Sequence, residues 1–317
     1  MKRRTLAILG AALAAPRVAH AAWPVRPVTV VVPYPPGGNN DILARLLQPV
    51  VEREIGQSLI IDNRGGGGGT IGAGFAARAA PDGYTALFAD IGILAIAPHL
   101  FAQLPFAEDS FAPIIRLTEV SLIVGVPPNS PHRSVEELVA AARARPEAIT
   151  FATPGNGTAG HLASQMLVSL SGTRMTHVPF RGSAPAVTEL AAGRVDLLID
   201  GTLLPAVAGG QVRALAVTGP ARSPFTPDLP TVAESGVPGY AFLSWHGVVA
   251  PRGAPEEATQ RLNAAYNAAL RDPNVQSRAR QLGLPLKGGT PDEFATFIAA
   301  ERAKMGPLVQ ASGARVE

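Results

Sequence analysis

The fold class is decided by VVPYPPGGNNDILARLL, residues 31–47, whose plan returns in ITFATPGNGTAGHLASQMLV, residues 149–168. In each stretch a strand pattern runs into a turn that contains glycine, and apolar residues then recur at helical spacing. Short β-branched runs alternate with such helical patterns from residue 25 onward. This alternation is typical of βαβ units around a largely parallel sheet, so the sequence predicts an α/β fold.

The chain is organised as two blocks of similar architecture followed by a helical tail. The strand and helix pattern restarts near Leu122, and two helical patterns end the chain. We predict two lobes, with the chain crossing between them near residues 122–127 and 245–250. The predicted division is residues 22–122 plus 247–317 for lobe 1 and residues 123–246 for lobe 2.

The first 21 residues have the features of a secretory signal peptide. A basic start, MKRR, precedes the apolar run TLAILGAALAA, and small residues mark a cleavage site near Ala21. That run is too short to span a bilayer, and every later apolar stretch is interrupted by a charge, a proline or a polar residue. We therefore expect an exported, periplasmic, monomeric protein that does not itself span the membrane.

Removal of this leader changes the charge of the protein. The chain has 27 Lys and Arg against 24 Asp and Glu, and four of the basic residues lie in the leader. The mature chain keeps 23 basic residues, for a net charge of about −1, which argues against a nucleic-acid partner. The sequence contains no cysteine, which excludes disulfides, a thiol nucleophile and cysteine metal sites. We expect no metal and no cofactor.

Each strand–turn–helix stretch is a candidate anion site. A helix that begins straight after a glycine turn leaves backbone N–H groups unpaired at the positive end of its dipole. Neither turn carries Lys or Arg, which favours a compact carboxylate over a polyphosphate. The alternative is a plain corner with a cap: Asn39 or Asn40 in the first turn, where Asp41 complements the dipole. In the second turn, Thr158 and His161 are able either to reach a ligand or to serve the helix.

Further candidates follow other strands, at the edge where a cleft would lie. They are residues 90–92, Arg181 with Gly182, and Asp200. Arg181 would pair with a distal carboxylate or remain solvated. Asp200 would bind a ligand amine, orient a water or cap the next helix. Ser183 is expected to cap the helix of SAPAVTELAAG, which follows Gly182.

Several motifs are specific in combination: PYPPGGNNDILAR, IDNRGGGGGTIGA, FATPGNGTAGHLA and VPFRGSAPAVTELAAGRVDLLID. Over essentially the whole mature chain they resemble the Bug family, the extracytoplasmic solute-binding proteins of tripartite tricarboxylate transporters. The resemblance implies a two-lobed Venus-flytrap fold of the type II periplasmic binding proteins, with a mixed sheet in each lobe. It also implies a small carboxylate ligand, no catalysis and, for some members, a two-component membrane permease as partner.

In that family, the loop after the first strand and its counterpart in the second lobe hold one carboxylate, largely through amides and ordered waters. Together with the strand ends, the resemblance implies a set of ligand-binding residues. They are Tyr34, Pro36, Gly37, Gly38, Asn39, Asp41, Asp90, Ile91, Gly92, Thr153, Gly155, Asn156, Gly157, Thr158, His161, Arg181, Gly182 and Asp200.

Two other functions compete with this one. The second stretch obeys strand, G-x-G-x-x-G, helix, and Arg181 follows about 20 residues on, as in an NADP-dependent oxidoreductase. The export signal argues against that reading. A ligand-sensing module for a signalling receptor would share the binding site and differ in its partner. The glycine run 65–69, together with Gly72, also gives a G-x-G-x-x-G match, but such a match alone is weak evidence for a dinucleotide site.

Overall fold

The structure, a computed structural model, describes residues 23–312, so the predicted signal peptide lies outside the described residues. Its strands are β1 (Val28–Val32), β2 (Leu59–Asn63), β3 (Thr85–Asp90), β4 (Phe111–Val120), β5 (Ile123–Val126), β6 (Thr150–Thr153), β7 (Thr176–Pro179), β8 (Leu197–Asp200), β9 (Arg213–Val217) and β10 (Ser244–Pro251). Its helices are α1 (Asn39–Ile55), α2 (Thr70–Ala77), α3 (Ala97–Leu100), α4 (Val135–Ala144), α5 (Ala159–Ser171), α6 (Ser183–Ala191), α7 (Leu204–Ala208), α8 (Glu256–Arg271), α9 (Pro273–Gln281) and α10 (Pro291–Ser312). A 3₁₀ turn, Gly67–Gly69, precedes α2, and a π-helical turn, Gly92–Ile96, precedes α3.

The strands form two five-stranded sheets of the same plan. The strand order is β2-β1-β3-β10-β4 in one sheet and β7-β6-β8-β5-β9 in the other. The first three strands of each sheet are parallel, whereas β10 and β5 are antiparallel to both of their neighbours. The predicted α/β class and two-lobed fold with a mixed sheet in each lobe are confirmed. Because the parallel strands end at one edge, the loops that begin α1 and α5 lie at the cleft edge of their lobes.

The chain passes between the sheets at two places. Strand β4 ends at Val120 in the lobe 1 sheet, and β5 begins at Ile123 in the lobe 2 sheet. On the return, Phe242 N donates to Thr218 O of lobe 2, and Ser244 already pairs with Val120 of β4. We therefore propose lobe boundaries after residue 122 and before residue 244, three residues earlier than the second boundary that the sequence suggested.

An apolar cluster is shared by the two lobes. The π-helical turn of lobe 1 packs against α5 of lobe 2, and Leu122 and Leu162 belong to the same buried cluster as Ile93. Helix α10 lies against both, and the Ser169 hydroxyl of α5 donates to Ala311 O at 3.1 Å. Burial of such apolar surface stabilises the approach of the lobes. Among residues 23–312, no helix is long and apolar enough to cross a membrane.

Candidate functional site

The two predicted turns lie opposite each other across the cleft, and the lobes touch there. We call residues 33–40 the lobe 1 corner and residues 154–160 the lobe 2 corner. A Cβ built on Gly182 of lobe 2 would lie 3.5 Å from Pro35 Cγ of the lobe 1 corner. A Cβ built on Gly68 would overlap the carbonyl oxygen of Asn156 in the lobe 2 corner. The structure is therefore that of a closed cleft.

A small space, the inner cavity, lies between the two helix starts and has a volume of about 50 Å³. Such a volume suits a few water molecules or a compact polar group. Its walls come from both corners, from the ends of β3 and β8 and from the strand β10. The lining residues are Tyr34, Pro35, Gly38, Asn39, Asn40, Asp90, Leu122, Pro154, Thr158, Ala159, Gly160, Gly182, Ser183, Asp200, Gly201, Ser244 and His246.

A larger space, the outer cavity of about 740 Å³, adjoins the inner cavity. Tyr34, Pro35, Pro154 and Gly182 line both cavities, so they form the neck between them. The other lining residues of the outer cavity are Pro36, Asn63, Gly65, Gly66, Gly67, Gly68, Gly69, Phe101, Gly155, Asn156, Pro179, Phe180 and Arg181. The glycine run 65–69, whose G-x-G-x-x-G match alone was weak evidence, forms a wall of this cavity.

The lobe 1 corner leaves the start of α1 open. Gly38 is the N-cap residue and no side chain caps the helix, so the alternative reading of this turn, a cap by Asn39 or Asn40, is wrong. Asn40 Nδ2 instead donates to Phe88 O at 3.3 Å, and Asn39 points across the cleft toward Gly201 of lobe 2. The first amides of α1 are therefore available to an anion in the inner cavity.

Asp41 supports this corner from behind and lines neither cavity. Its carboxylate accepts hydrogen bonds from the amide of Gly37 at 3.0 Å, from Arg45 Nε at 2.9 Å and from Asn63 Nδ2 at 3.0 Å. Burial alone would raise the pKa of Asp41, but the hydrogen bonds from Arg45, Gly37 and Asn63 together lower it. Gly37 and Asp41, which the sequence predicted to bind the ligand, line neither cavity, and we infer that they position the corner.

The lobe 2 corner is closed by its own side chains. Thr158 caps α5 by accepting from His161 N at 3.3 Å, and the amide of Gly157 donates to His161 Nδ1 at 3.2 Å. The His161 ring stacks on His177 at 4.6 Å between centroids, and His177 stacks on Phe151 at 4.9 Å. Burial and the neighbouring His177 lower the pKa of His161 to about 4, so the ring is neutral and accepts at Nδ1. His161 thus holds the corner and lines neither cavity.

Thr153 and Gly157 also act within this corner. Thr153 Oγ1 accepts from Gly155 N at 3.3 Å and pairs with His177 Nε2 at 2.7 Å. A Cβ on Gly157 would lie 2.7 Å from Phe101 Cε2, which shows that this glycine faces the opposite lobe and not the inner cavity. Neither of these two predicted ligand-binding residues lines a cavity.

Asp90 lies at the end of β3 and lines the inner cavity. Its Oδ1 accepts from the Tyr34 hydroxyl and from Ile93 N, both at 3.2 Å. Burial raises the pKa of Asp90 to about 6, against opposing hydrogen bonds from Ile93 and Tyr34. Burial, and next the charge of Asp90, raises the pKa of Tyr34 well above its usual value. Ile91 and Gly92 belong to the buried helical turn that follows and line neither cavity.

Asp200, at the end of β8, is the second buried acid of the inner cavity. Its Oδ1 accepts from the amide and hydroxyl of Thr202, both at 2.7 Å, and its Oδ2 accepts from Ser183 Oγ at 3.0 Å. Burial raises the pKa of Asp200, and the hydrogen bonds from Thr202 and Ser183 oppose this shift. The sequence suggested that Ser183 caps α6, but this prediction is wrong. The Ser183 hydroxyl instead donates to Asp200.

The predicted site residues therefore divide into cavity walls and supports. The walls of the two cavities include Tyr34, Pro36, Gly38, Asn39, Asp90, Gly155, Asn156, Thr158, Arg181, Gly182 and Asp200. Sequence reasoning missed Leu122, Ser244 and His246, which lie where the chain crosses between the lobes. Within residues 23–312, no group of three or more His, Asp or Glu side chains is placed to hold a metal ion.

Comparison with known proteins places the chain in a family. A model of the "Tripartite tricarboxylate transporter family receptor" family matches residues 43–314. The chain belongs to this family. Protein BugT of Bordetella pertussis is 32% identical over 323 residues, with 99% of each chain covered. The predicted membership of the Bug family is thereby confirmed.

Two solved structures of the same kind are similar to nearly the whole chain. One is the R. palustris protein Rpa4515 with adipate, at 36% identity and a TM-score of 0.89, with 93% of this chain and 100% of that chain covered. The other is MatC of Rhodopseudomonas palustris with bound malate, at 33% identity and a TM-score of 0.87, with 90% and 100% covered. Family receptors are extracytoplasmic binding proteins, which is consistent with the export signal that the sequence predicts.

Proposed function

We propose that this receptor captures a small carboxylate in the inner cavity, by closing its two lobes, and presents it to a membrane permease. The uncapped start of α1 at that cavity carries the proposal, because its amides and dipole can bind a carboxylate although no Lys or Arg lines the cavity. The similar structures with adipate and malate support the same ligand class. The proposed ligand contacts are the cavity walls, with Gly38, Asn39 and Thr158 closest to the helix starts.

The NADP-dependent alternative has less support. A diphosphate at the start of α5 would need the amides of the glycine loop, but Gly157 N donates to His161 and His161 N donates to Thr158. A sensing role for a signalling receptor would use the same cleft and is distinguished by the partner that recognises the closed form.

Thermal unfolding of the mature protein with a panel of acids tests the proposal. We expect malate, adipate or another small carboxylate to raise the unfolding midpoint by a few degrees, because a ligand at 100 times its Kd adds about 2.7 kcal/mol. NADPH serves as the comparison and should leave the midpoint unchanged. A shift with NADPH and none with any acid would overturn the proposal in favour of the oxidoreductase. N-terminal sequencing of the periplasmic protein checks the expected cleavage near Ala21.

A further inference from the structure

The two lobes approach each other backbone to backbone at two neighbouring places in the closed cleft. A Cβ built on Gly68 of lobe 1 would overlap Asn156 O of lobe 2. A Cβ built on Gly92 of lobe 1 would lie 3.1 Å from Gly157 O, closer than a side-chain carbon normally comes to an oxygen. Glycine hydrogens of lobe 1 therefore face two consecutive carbonyl groups of the lobe 2 corner.

Tyr34 stands between the two lobe 1 segments that carry these glycines. Its hydroxyl lies 3.2 Å from Gly68 O and 3.2 Å from Asp90 Oδ1, so its single proton is shared between two acceptors. Burial raises the pKa of Tyr34, which keeps this proton in place at neutral pH. One side chain thus joins both segments. We call these segments the seat, residues 67–69 and 90–92.

Asp90 is the fixed side of the seat. Its Oδ1 accepts from Ile93 N at 3.2 Å as well as from Tyr34, and the Asn40 side chain and the Gly92 amide donate to the same carboxylate. These donors come from α1 and from the turn that follows β3, so two elements of lobe 1 anchor the carboxylate. A group that donates to Asp90 is therefore held in one place.

The glycine run 65–69 is the pliable side of the seat. Four of its residues have positive φ, and the run has no side chains with which to pack against lobe 1. It contains a local hydrogen bond, from Gly69 N to Gly66 O at 3.0 Å. Glycine loses more backbone freedom on ordering than any other residue, so a run of this kind gains most from a tie to a fixed group. The Tyr34 hydroxyl supplies such a tie at Gly68 O.

We propose that Tyr34 is a positioning residue for closure of the lobes: it ties the glycine run to Asp90 and so holds the seat in the shape that receives the lobe 2 corner. This inference rests on the proposed function and assigns to one residue an effect on closure. Tyr34 also lines both cavities, so a molecule in the cleft lies against the side chain that shapes the seat.

Calorimetric titration of the mature protein with malate and with adipate tests this role. Tyr34→Phe removes the hydroxyl and keeps the ring, and we expect it to weaken the better-bound acid about tenfold. Tyr84→Phe is the matched control and should leave the affinity unchanged. The Tyr84 hydroxyl accepts from Val25 N at 3.0 Å, and Tyr84 precedes β3 at the end opposite Asp90 and lines neither cavity.

A double-mutant cycle separates positioning from a direct contact between the hydroxyl and the acid. Gly68→Ala already opposes the approach of Asn156 O, so holding the glycine run in place then brings no gain. In the Gly68→Ala protein, Tyr34→Phe should therefore weaken binding by less than about twofold. In the Gly172→Ala protein, where the added Cβ meets nothing within 4 Å, Tyr34→Phe should keep its full effect of about tenfold.

Hydrogen exchange without any acid tests the tie itself. Tyr34, Gly68 and Asp90 all belong to lobe 1, so the tie should persist when the lobes open. We expect the Gly69 amide, which donates to Gly66 O, to exchange about fivefold faster or more in Tyr34→Phe than in the wild type. The amides of α8 should exchange at the same rate in both proteins.

The outcomes separate this inference from the proposed function. If the wild type binds an acid, the inference is overturned by equal affinity of Tyr34→Phe, by a tenfold loss that persists in Gly68→Ala, or by unchanged exchange at Gly69. Each of these results leaves carboxylate capture standing. Failure of both acids to bind the wild type overturns the proposed function and, with it, the role of Tyr34 in closure. Unfolding midpoints well above the titration temperature are expected for every variant, so that the affinities refer to folded protein.

Discussion

The lobe 1 corner and the lobe 2 corner share a strand, a glycine turn and a helix start, but they complete the turn in opposite ways. In lobe 1 the stabilising groups stand behind the turn: Asp41 accepts from Gly37, and no side chain caps α1. In lobe 2 they stand within it, because Thr158 caps α5 and His161 accepts from Gly157. The same local sequence plan thus gives one open helix start and one that is largely satisfied.

The difference assigns different tasks to the two lobes. An uncapped helix start keeps its amides and dipole for a ligand anion, so we expect lobe 1 to supply most of the carboxylate binding. The lobe 2 corner is braced by the stack of His161, His177 and Phe151, and its outer side touches Gly68 and Phe101 of lobe 1. We therefore interpret lobe 2 as a rigid cover that completes the cavity when the lobes close.

The largest expected effect comes from filling the lobe 1 corner. Gly38 has φ −85°, and a Cβ there would meet only Ser183 Oγ at 3.9 Å and Pro35 O at 4.0 Å, so substitution does not strain the backbone. Gly38→Leu should reduce ligand affinity by about 100-fold or more, since its side chain occupies the small inner cavity. Gly38→Ala should lose far less. Calorimetry measures the affinities, and denaturant unfolding should give nearly equal stability for the three proteins; equal affinity for the Leu variant would show that the ligand lies elsewhere.

The next effect concerns the closed contact of the lobe 2 corner. Gly68 has φ +63° and Gly172 has φ +61°, but a Cβ on Gly172 meets nothing within 4 Å, whereas one on Gly68 would overlap Asn156 O. Alanine at either position should therefore cost a similar stability, about 1 kcal/mol, through left-handed backbone strain. Gly68→Ala alone should also weaken ligand binding, by about tenfold, because it opposes closure.

Small-angle scattering separates these two glycine variants further. Ligand should contract the wild-type and Gly172→Ala proteins to the same compact form and should leave Gly68→Ala more extended. A Gly68→Ala protein that contracts fully and binds normally would mean that the 3₁₀ turn moves aside at little cost. The comparison of the two corners would then lose its claim that the lobe 2 corner sets closure.

The sequence predicted what depends on local pattern. Alternating strand and helix periodicity gave the α/β class, and glycine followed by an amphipathic helix gave both corners. The sequence placed Asp200 at the cleft edge, but its hydrogen bond from Ser183 was not accessible in this way, because it joins residues 17 apart in the chain. Asparagine is a common N-cap residue, but in this fold the side chain of Asn39 lies against Gly201 and that of Asn40 donates to Phe88 O.

The strand β10, whose Ser244 and His246 line the inner cavity, shows a second limit of sequence reasoning. Every residue of β10 is buried, so the strand has no polar and apolar alternation to reveal which face meets the cleft. Ser244 and His246 acquire their position only when β10 inserts between β3 and β4 after the chain has passed through lobe 2. The glycine run 65–69 was likewise uninformative until the opposite lobe was placed against it.

The smallest expected effect tests the brace of the lobe 2 corner. His161→Leu removes the acceptor for the Gly157 amide, whereas His161→Asn keeps an acceptor on a shorter side chain. We expect the Leu variant to bind ligand a few-fold more weakly and the Asn variant to bind nearly as well as the wild type.

Both variants should also change the pH dependence of unfolding. The lowered pKa of His161, about 4 against 6.5 when unfolded, means that the unfolded chain takes up the proton first. Its stabilising contribution is therefore complete above pH 6.5 and is lost as pH falls toward 4, by up to about 3 kcal/mol. Because the raised pKa of Asp90 acts in the opposite direction below pH 6, the useful quantity is the difference between variant and wild type in denaturant unfolding at each pH. An unchanged difference from pH 7 to 4 would show that folding does not lower the pKa of His161, so that the ring takes up a proton in the folded protein as readily as in the unfolded chain and is not held as a neutral acceptor at low pH.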